Sequence, residues 1–140
     1  MLITPELESY LKKIRAALDK HIVNISDDTN EINEYVELLR KWVPGNYVVG
    51  DVRMYEGIPY KCVQAHDSTG NETWNPSVAS LWTQYHGTSI ETARPWVTPT
   101  GAHDMYLAGE YMIWTDGLTY RCLSNTNFSP ADYALAWEQV

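Results

Sequence analysis

The sequence predicts an α+β protein in which a helical N-terminal segment precedes two small antiparallel β modules. Three observations carry this prediction: apolar residues at helical spacing before residue 42, short β-favouring runs separated by glycine turns after it, and a unit of that second part that occurs twice. We expect a helical anchoring or oligomerisation segment over residues 1–41 and a first β module over residues 42–86. A linker and a second module then occupy residues 87–140.

The helical segment opens with a recognisable start signal. Thr4 is a good N-cap, Pro5 suits the first helical position, and Glu6 lies near the positive end of the helix. Apolar residues then recur every seven positions, as in one half of a coiled-coil seam, with one further residue in the complementary row. The residues that we expect to oligomerise or anchor the protein are Leu11, Ile14, Leu18, Ile25, Ile32 and Leu39.

The middle of this segment conflicts with one continuous helix. Ile22 and Val23 are β-branched, and residues 24–30 are mostly poor helix formers. Asp28 and Glu31 resemble the N-cap and capping box of a second helix over residues 29–41. A broken helix folded as a hairpin or packed on its neighbours fits best. The alternative is a parallel oligomeric stalk with a polar layer around residues 21–30.

An aromatic unit is repeated in the region after residue 41. Its landmarks are each 60 residues apart: Gly57 and Gly117, Tyr60 and Tyr120, Cys62 and Cys122. The second copy departs from the motif of the first, since Glu110 replaces Asp51 and Asn125 replaces His66. A repeated unit of about 45 residues is near the lower size limit for independent folding and is more typical of a binding module than of an active site.

Charge and composition exclude several classes of function. The net charge is −8, and after residue 41 there are four basic residues against ten acidic ones. This balance argues against binding to nucleic acids and to anionic membranes. The start at Met1 lacks the pattern of a signal peptide, and no apolar stretch is long enough to span a bilayer. We therefore expect synthesis in the cytoplasm, with any export by another route such as assembly into a particle.

The sequence gives no sign of catalysis. It contains no P-loop, Gly-x-Ser-x-Gly, His-Glu-x-x-His or Cys-x-x-Cys motif, so we expect no enzymatic activity, metal or cofactor. His66 is expected to hydrogen-bond within its loop, and the His103-Asp104 pair, which lies in a Gly-flanked loop with no obvious nucleophile, is not expected to be catalytic. Cys62 and Cys122 are expected to be buried, reduced thiols.

Aromatic side chains are the best candidates for a binding surface. Fifteen of the 17 aromatics follow residue 41, which is more than small cores need. Aromatic rings can stack on the apolar face of a sugar, so the predicted carbohydrate-binding residues are those in loops or beside turns: Trp74, Phe128, Tyr55 and Trp114. We expect Trp82, Trp137, Tyr60 and Tyr120 in the cores, and Trp42 and Trp96 at module junctions.

The repeated motif resembles the chitin-binding type 3 fold, which comprises the carbohydrate-binding modules of families five and twelve. The resemblance rests on Tyr-x-x-Gly-Asp from Tyr47, Tyr-x-Gly from Tyr55, Pro76 and the closing Leu-Trp at Trp82. The run that begins Tyr-Lys-Cys at Tyr60 resembles the variant found on bacteriophage virion and prophage tail proteins. The resemblance implies small twisted β units with aromatic cores, sugar binding and no catalysis.

Taken together, these features predict a phage or prophage virion protein, such as a head fibre, capsid decoration or tail-associated protein. Its modules would bind host cell-wall or surface glycans, and its helices would join other virion proteins or form a homo-oligomer, with a trimer favoured. One alternative is a purely structural decoration or spacer without sugar binding. Another is a glycan-binding accessory protein of a polysaccharide-degrading system.

Overall fold

The computed structural model describes residues 4–140, so the expectation about the start at Met1 falls partly outside the described residues. It confirms the α+β class. The helices are α1 (Pro5–Asn24) and α2 (Thr29–Glu34), with short 3-10 helices at Val36–Leu38 and Ala134–Ala136. The strands are β1 (Asn46–Tyr47), β2 (Val52–Tyr55), β3 (Ile58–Cys62), β4 (His66–Asp67), β5 (Trp82–Gln84), β6 (Arg94–Pro95), β7 (Tyr111–Ile113), β8 (Thr119–Cys122) and β9 (Trp137–Gln139).

The N-terminal segment is broken into two helices, as the poor helix formers after Val23 predict. Thr4 Oγ1 caps α1 by accepting from the Leu7 amide at 3.1 Å. Asp28 caps α2 by accepting from the Glu31 amide at 3.2 Å. The Glu31 carboxylate lies 3.9 Å from the His21 ring. Of the two hydrogen bonds expected in the capping box, the one accepted by Asp28 is therefore the one formed.

The chain after α2 folds back along α1. Arg40 pairs with Asp19 at 3.0 Å, and Arg15 donates to the Leu38 carbonyl at 2.6 Å. Desolvation opposes ionisation of Asp19, but the hydrogen bond from Arg40 and the charges of Arg15, Arg40 and Arg53 together lower the pKa of this carboxyl group. The helical segment is therefore a folded-back hairpin in this structure, and the continuous stalk is not formed.

A first core lies between this hairpin and the β region. It contains Ile22, Ile32, Leu39, Val52 and Tyr85, and Leu18 and Ile25 pack on its edge. Ile22 was not among the residues expected in the seam. Ile32 and Leu39 are buried inside the chain itself, whereas Leu11 and Ile14 are 46% and 48% exposed. Of the six predicted oligomerisation residues, only Leu11 and Ile14 lie open on the surface.

The β region forms two similar units. In the first (residues 42–86), β2, β3 and β5 make an antiparallel meander, and β1 pairs with β4. In the second (residues 87–140), β7, β8 and β9 repeat the meander, and β6 adds to β7 in parallel. Trp82 and Trp137 are buried as predicted, while Tyr60 and Tyr120 are half-buried at the edges of the two cores.

The two units resemble each other in their backbone hydrogen bonds as well as in their sequences. The amides of Gly50 and Gly109 donate to the carbonyls of Cys62 and Cys122 at 3.0 and 2.8 Å. The Asp51 carboxylate accepts from the Val48 amide at 2.9 Å, and in the second unit Glu110 accepts from the Leu107 amide at 2.7 Å. The acidic side chain therefore closes the same turn in both copies, as the alignment of Glu110 with Asp51 predicts.

The alignment of Asn125 with His66 was wrong by one residue. Tyr47 pairs with His66 in the first unit, and the corresponding bridge in the second joins Tyr106 to Thr126. His66 and Thr126 both lie four residues after their cysteine. Asn125 instead accepts from the Ala108 amide at 2.8 Å.

Residues 86–95, expected as a linker, are packed against both the helices and the second unit. Asn33 on α2 donates to the His86 carbonyl at 3.1 Å, and Arg94 donates to Asn33 Oδ1 at 2.9 Å and to the Tyr85 carbonyl at 2.6 Å. The carbonyl of Gly87 accepts from the Tyr111 amide at 2.9 Å. One asparagine and one arginine thus connect α2, the first unit and the second.

A buried contact between His86 and Glu110 completes this junction. His86 Nδ1 lies 2.8 Å from Glu110 Oε1, and both residues are buried. The His86 ring stacks on Tyr106, with ring centroids 3.7 Å apart. The first unit therefore ends inside the core region of the second, and the two units pack as one body.

A substitution at Gly87 tests the close packing at this junction. A Cβ at Gly87 would lie 2.4 Å from the Thr92 carbonyl oxygen, whereas a Cβ at Gly45 would meet only the Val43 carbonyl, at 3.9 Å. We expect Gly87→Ala to lower the free energy of unfolding by about 1–3 kcal/mol, and Gly45→Ala to change it little. Urea unfolding measures both. Equal midpoints for the two variants would contradict the close packing at residue 87.

Candidate functional site

The two loop aromatics predicted to bind sugar are both exposed. Trp74 is 45% and Phe128 60% exposed, and each comes two residues before the proline of its unit. Tyr55 and Trp114, beside the hairpin turns, are half-buried. The structure therefore places all four where part of each ring reaches solvent.

The Phe128 loop is fixed to the core by its backbone. Trp137 Nε1 donates to the Phe128 carbonyl at 2.9 Å, and the Phe128 amide donates to Thr126 Oγ1 at 3.0 Å. These bonds hold the main chain on the core while the ring points outward. In the first unit, the buried Trp82 Nε1 has no hydrogen-bond partner among the described residues, so the Trp74 loop lacks the equivalent bond.

Each unit also carries an edge-to-face aromatic pair beside its hairpin. Trp42 and Tyr55 meet with ring centroids 5.7 Å apart, and Trp96 and Trp114 with centroids 5.6 Å apart. In the second unit Trp96 also stacks on Tyr106 at 5.0 Å. Trp42 and Trp96, assigned from sequence to module junctions, are thus partners of the predicted binding residues.

The second unit brings Trp114 and Phe128 together in one open groove of about 470 Å³. We call it the indole groove. Its lining residues are Trp96, Trp114 and Phe128, the loop residues Thr98, Pro99, Thr100 and Gly101, and Asn127, Ser129 and Asp132. A row of aromatic faces bordered by hydroxyl, amide and carboxylate groups is the chemistry that a pyranose requires.

A second groove of about 720 Å³ adjoins the first and shares the Phe128 side chain with it. We call it the tyrosine groove. It is lined by Met105, Asn125, Thr126 and Tyr133, and shares Asn127, Phe128 and Asp132 with the indole groove. Phe128 therefore forms a ridge between two sugar-sized depressions.

The four predicted residues do not form one site. Tyr55 lines a separate groove of about 440 Å³ with Trp42 and Met54, and this groove is bordered by Val36 and Leu39 of the helical segment. Trp74 lies outside these three grooves. Sequence reasoning missed Asp132 and Tyr133, although their place shortly after Pro130 was a usable signal.

Other polar residues singled out from the sequence support the backbone. Asp104 accepts from the amides of Thr100 and Gly101 at 2.8 and 3.1 Å, which fixes one wall of the indole groove. His103 Nε2 lies 2.7 Å from the Ala79 carbonyl, and His66 Nδ1 lies 2.7 Å from the Gln64 carbonyl. His66 and Asp104 therefore have partners within their own loops, whereas His103 contacts a residue 24 positions away in the first unit.

Comparison with protein families agrees with this geometry for the first unit. Residues 41–83 match the model of carbohydrate-binding module family 5/12. The match supports carbohydrate binding by that part of the chain, which runs from Lys41 to Thr83. The comparison with curated proteins gives no match.

Two further properties of the described residues concern ligands and membranes. Within residues 4–140, no three His, Cys, Asp or Glu side chains cluster in a way that could hold a metal ion. Neither of the helices in that part of the chain has the length and apolar character needed to cross a bilayer.

The two cysteines are free and buried in equivalent places. Each Sγ lies near the carbonyl two residues later, at 3.2 Å for Cys62 and 3.0 Å for Cys122. Burial raises the pKa of the Cys62 thiol and raises that of Cys122 to about 11. Because the thiolate is the reactive form, both thiols should be inert in the folded protein near neutral pH.

We expect a disulfide reagent at pH 8 to modify the folded protein at least about a hundredfold more slowly than the urea-unfolded chain. Release of the reagent's chromophore follows the reaction, and a Cys62→Ala variant isolates the Cys122 thiol. The rate for that variant should rise as the pH approaches 11. Rapid modification of folded Cys122 at pH 8 would show that the thiol is not buried.

Proposed function

We propose that this protein is a non-enzymatic glycan-binding component of a phage or prophage virion, which presents two carbohydrate-binding modules to glycans of the host surface. The observation that carries the proposal is the Phe128 ridge with Trp114 and Trp96 beside it, in a chain whose first unit matches a carbohydrate-binding family. The setting could be a head fibre, a capsid decoration or a tail-associated protein.

The physical case for sugar binding rests on exposed aromatic rings carried by a fixed main chain. Binding loses less conformational entropy when the backbone of the loop is already held, and the main chain at Phe128 is held by two hydrogen bonds. Asn127, Ser129 and Asp132 supply hydrogen-bonding groups next to the ring. The net charge of −8 favours neutral or cationic ligands over anionic ones.

The second unit supports a second module. It repeats the turn bonds of Gly50 and Asp51 at Gly109 and Glu110, and it repeats the aromatic pair. Its open grooves fit a ligand better than the groove of the first unit, which is bordered by the helical segment.

The virion setting is supported by the helical segment and by the resemblance of the run at Tyr60 to phage modules. The first half of α1 exposes Tyr10, Leu11 and Ile14 on a helix whose later residues pack on the body. An apolar stripe of this kind suits association with other copies or with other virion proteins. Many copies on one particle would convert weak sugar contacts into strong adhesion.

A purely structural decoration is the second candidate function. The observation that favours it is the first unit, where Tyr55 and Trp42 share a groove with Val36 and Leu39 instead of lying fully open. In that case the aromatic surfaces would contact protein. An accessory protein of a polysaccharide-degrading system remains a third possibility, and it shares the sugar-binding step with the first.

Co-sedimentation with insoluble chitin and with bacterial cell walls tests the proposal. We expect the wild type to bind and Phe128→Ala to weaken binding by about tenfold or more, since stacking of a ring contributes on the order of 1–2 kcal/mol. Trp74→Ala reports the first unit separately. Leu135→Ala is the matched control, because Leu135 is 80% exposed in the second unit but lies outside both grooves.

The outcomes separate the candidate functions. Loss of binding in Phe128→Ala with retention in Leu135→Ala supports a glycan adhesin that uses the second unit. An effect of Trp74→Ala alone would assign binding to the first unit. A folded wild type that binds neither material would favour the structural decoration.

The oligomerisation proposal has its own test. We expect wild-type protein to sediment as an oligomer, with a trimer favoured. The double variant Leu11→Ser, Ile14→Ser should raise the dissociation constant by about tenfold or more, because two apolar contacts are lost. Val23→Ser, also on α1 and exposed but off the stripe, should leave it unchanged. A monomeric wild type would contradict self-association through α1.

A further inference from the structure

We propose that the glycan bound by the second unit carries free amino groups, as a glucosamine polymer does, and that Asp132 recognises the ammonium group. This inference rests on the proposed sugar-binding function and specifies the ligand of the same site. It concerns which sugar is preferred, so it can fail while sugar binding stands.

The position of Asp132 is the first observation. Asp132 lines both the indole groove and the tyrosine groove, and so does Phe128. A sugar ring that stacks on either side of the Phe128 ridge therefore lies beside the same carboxylate. A chain that crosses the ridge would pass it with successive sugars.

The charge of the site is the second observation. Among residues 4–140, Asp132 is the only charged residue that lines either groove, and neither lining includes a lysine, arginine or histidine. In the first unit, by contrast, the groove at Tyr55 contains Lys41 together with Glu37 and Glu56. The second unit thus presents a single negative charge without a basic neighbour in the grooves.

The hydrogen bonds of Asp132 leave its carboxylate available. Its backbone amide donates to Ser129 Oγ at 3.2 Å, which fixes the residue in the turn after Pro130. Its carboxylate receives one long contact, from the Ser129 hydroxyl to Oδ2 at 3.4 Å. A carboxylate can accept about four hydrogen bonds, so most of its capacity is open to water or to a ligand in the grooves.

Chemistry then selects among the glycans. A sugar with carboxylate or phosphate groups would be repelled by Asp132. A neutral sugar could donate hydroxyl hydrogen bonds to it, but an ammonium group adds to such a bond the attraction between two opposite full charges. Trp96 and Trp114 line the indole groove, and an ammonium group placed over an indole ring gains a cation–π attraction. A free amine is therefore the substituent that uses every feature of the site.

The test compares oligosaccharides of glucosamine and of N-acetylglucosamine with equal length, titrated into the full chain and followed by calorimetry. The variants are Asp132→Asn, which keeps the shape and removes the charge, and Glu91→Gln as the matched control. Glu91 is exposed and lies outside both grooves, so its variant removes the same charge from another place. Phe128→Ala reports whether sugar binding uses the ridge at all.

We expect the wild type and Glu91→Gln to bind the amino oligosaccharide about tenfold more tightly than the acetylated one, at a pH where the amines are protonated. Asp132→Asn should bind both equally. The preference should also disappear when the pH is raised until the amines are neutral.

Two results would overturn the inference while leaving the proposed function intact. One is equal or tighter wild-type binding of the acetylated oligosaccharide, with loss of that binding in Phe128→Ala. The other is an amine preference that Asp132→Asn retains, since general attraction to the acidic chain would then explain it. Failure of the wild type to bind either oligosaccharide would count against both this inference and sugar binding by the second unit.

Discussion

The junction of Asn33, Arg94 and Tyr85 is the interaction on which the rest of the structure depends. Units of about 45 residues bury too little apolar surface to be stable alone, so each needs a neighbour. Burial lowers the pKa of Arg94, which shows the cost of placing this guanidinium away from water. Its bonds to Asn33 and to the Tyr85 carbonyl offset that cost only when α2 and both units are in place. The helices and the two units therefore stabilise one another.

This mutual packing gives the repeated unit two different surroundings. The same edge-to-face aromatic pair occurs in both copies, as Trp42 with Tyr55 and as Trp96 with Trp114. In the first copy the helical segment borders the pair, because the chain before Trp42 folds back along α1. In the second copy the Thr98–Gly101 loop and the Phe128 loop border it instead. The two units thus have a similar framework, and the neighbouring segments determine how open each groove is.

Local patterns were predictable, and long-range contacts were not. The helix caps at Thr4 and Asp28 depend on residues three positions away. The burial of Trp82 and Trp137 follows from their place at the end of each unit. The pair of His86 and Glu110 joins residues 24 positions apart, and no local pattern marks either as buried. The same limit applies to Ile22, which lies off the seven-residue spacing but faces the core because the helix hairpin packs on β2.

In the candidate site, too, local features were predictable from the sequence and long-range contacts were not. The exposure of Trp74 and Phe128 was predictable from their polar loops. The different hydrogen bonding of the two loops was not predictable: Trp137 donates to the Phe128 carbonyl, and Trp82 makes no such bond in the described part of the chain. This contrast also bears on the family match. The residues that fold the unit, such as Tyr47, Cys62 and Trp82, lie within residues 41–83, so a match there reports the framework. Sugar binding depends on exposed loop side chains, and the loop of the second unit is the one held rigidly between two open grooves.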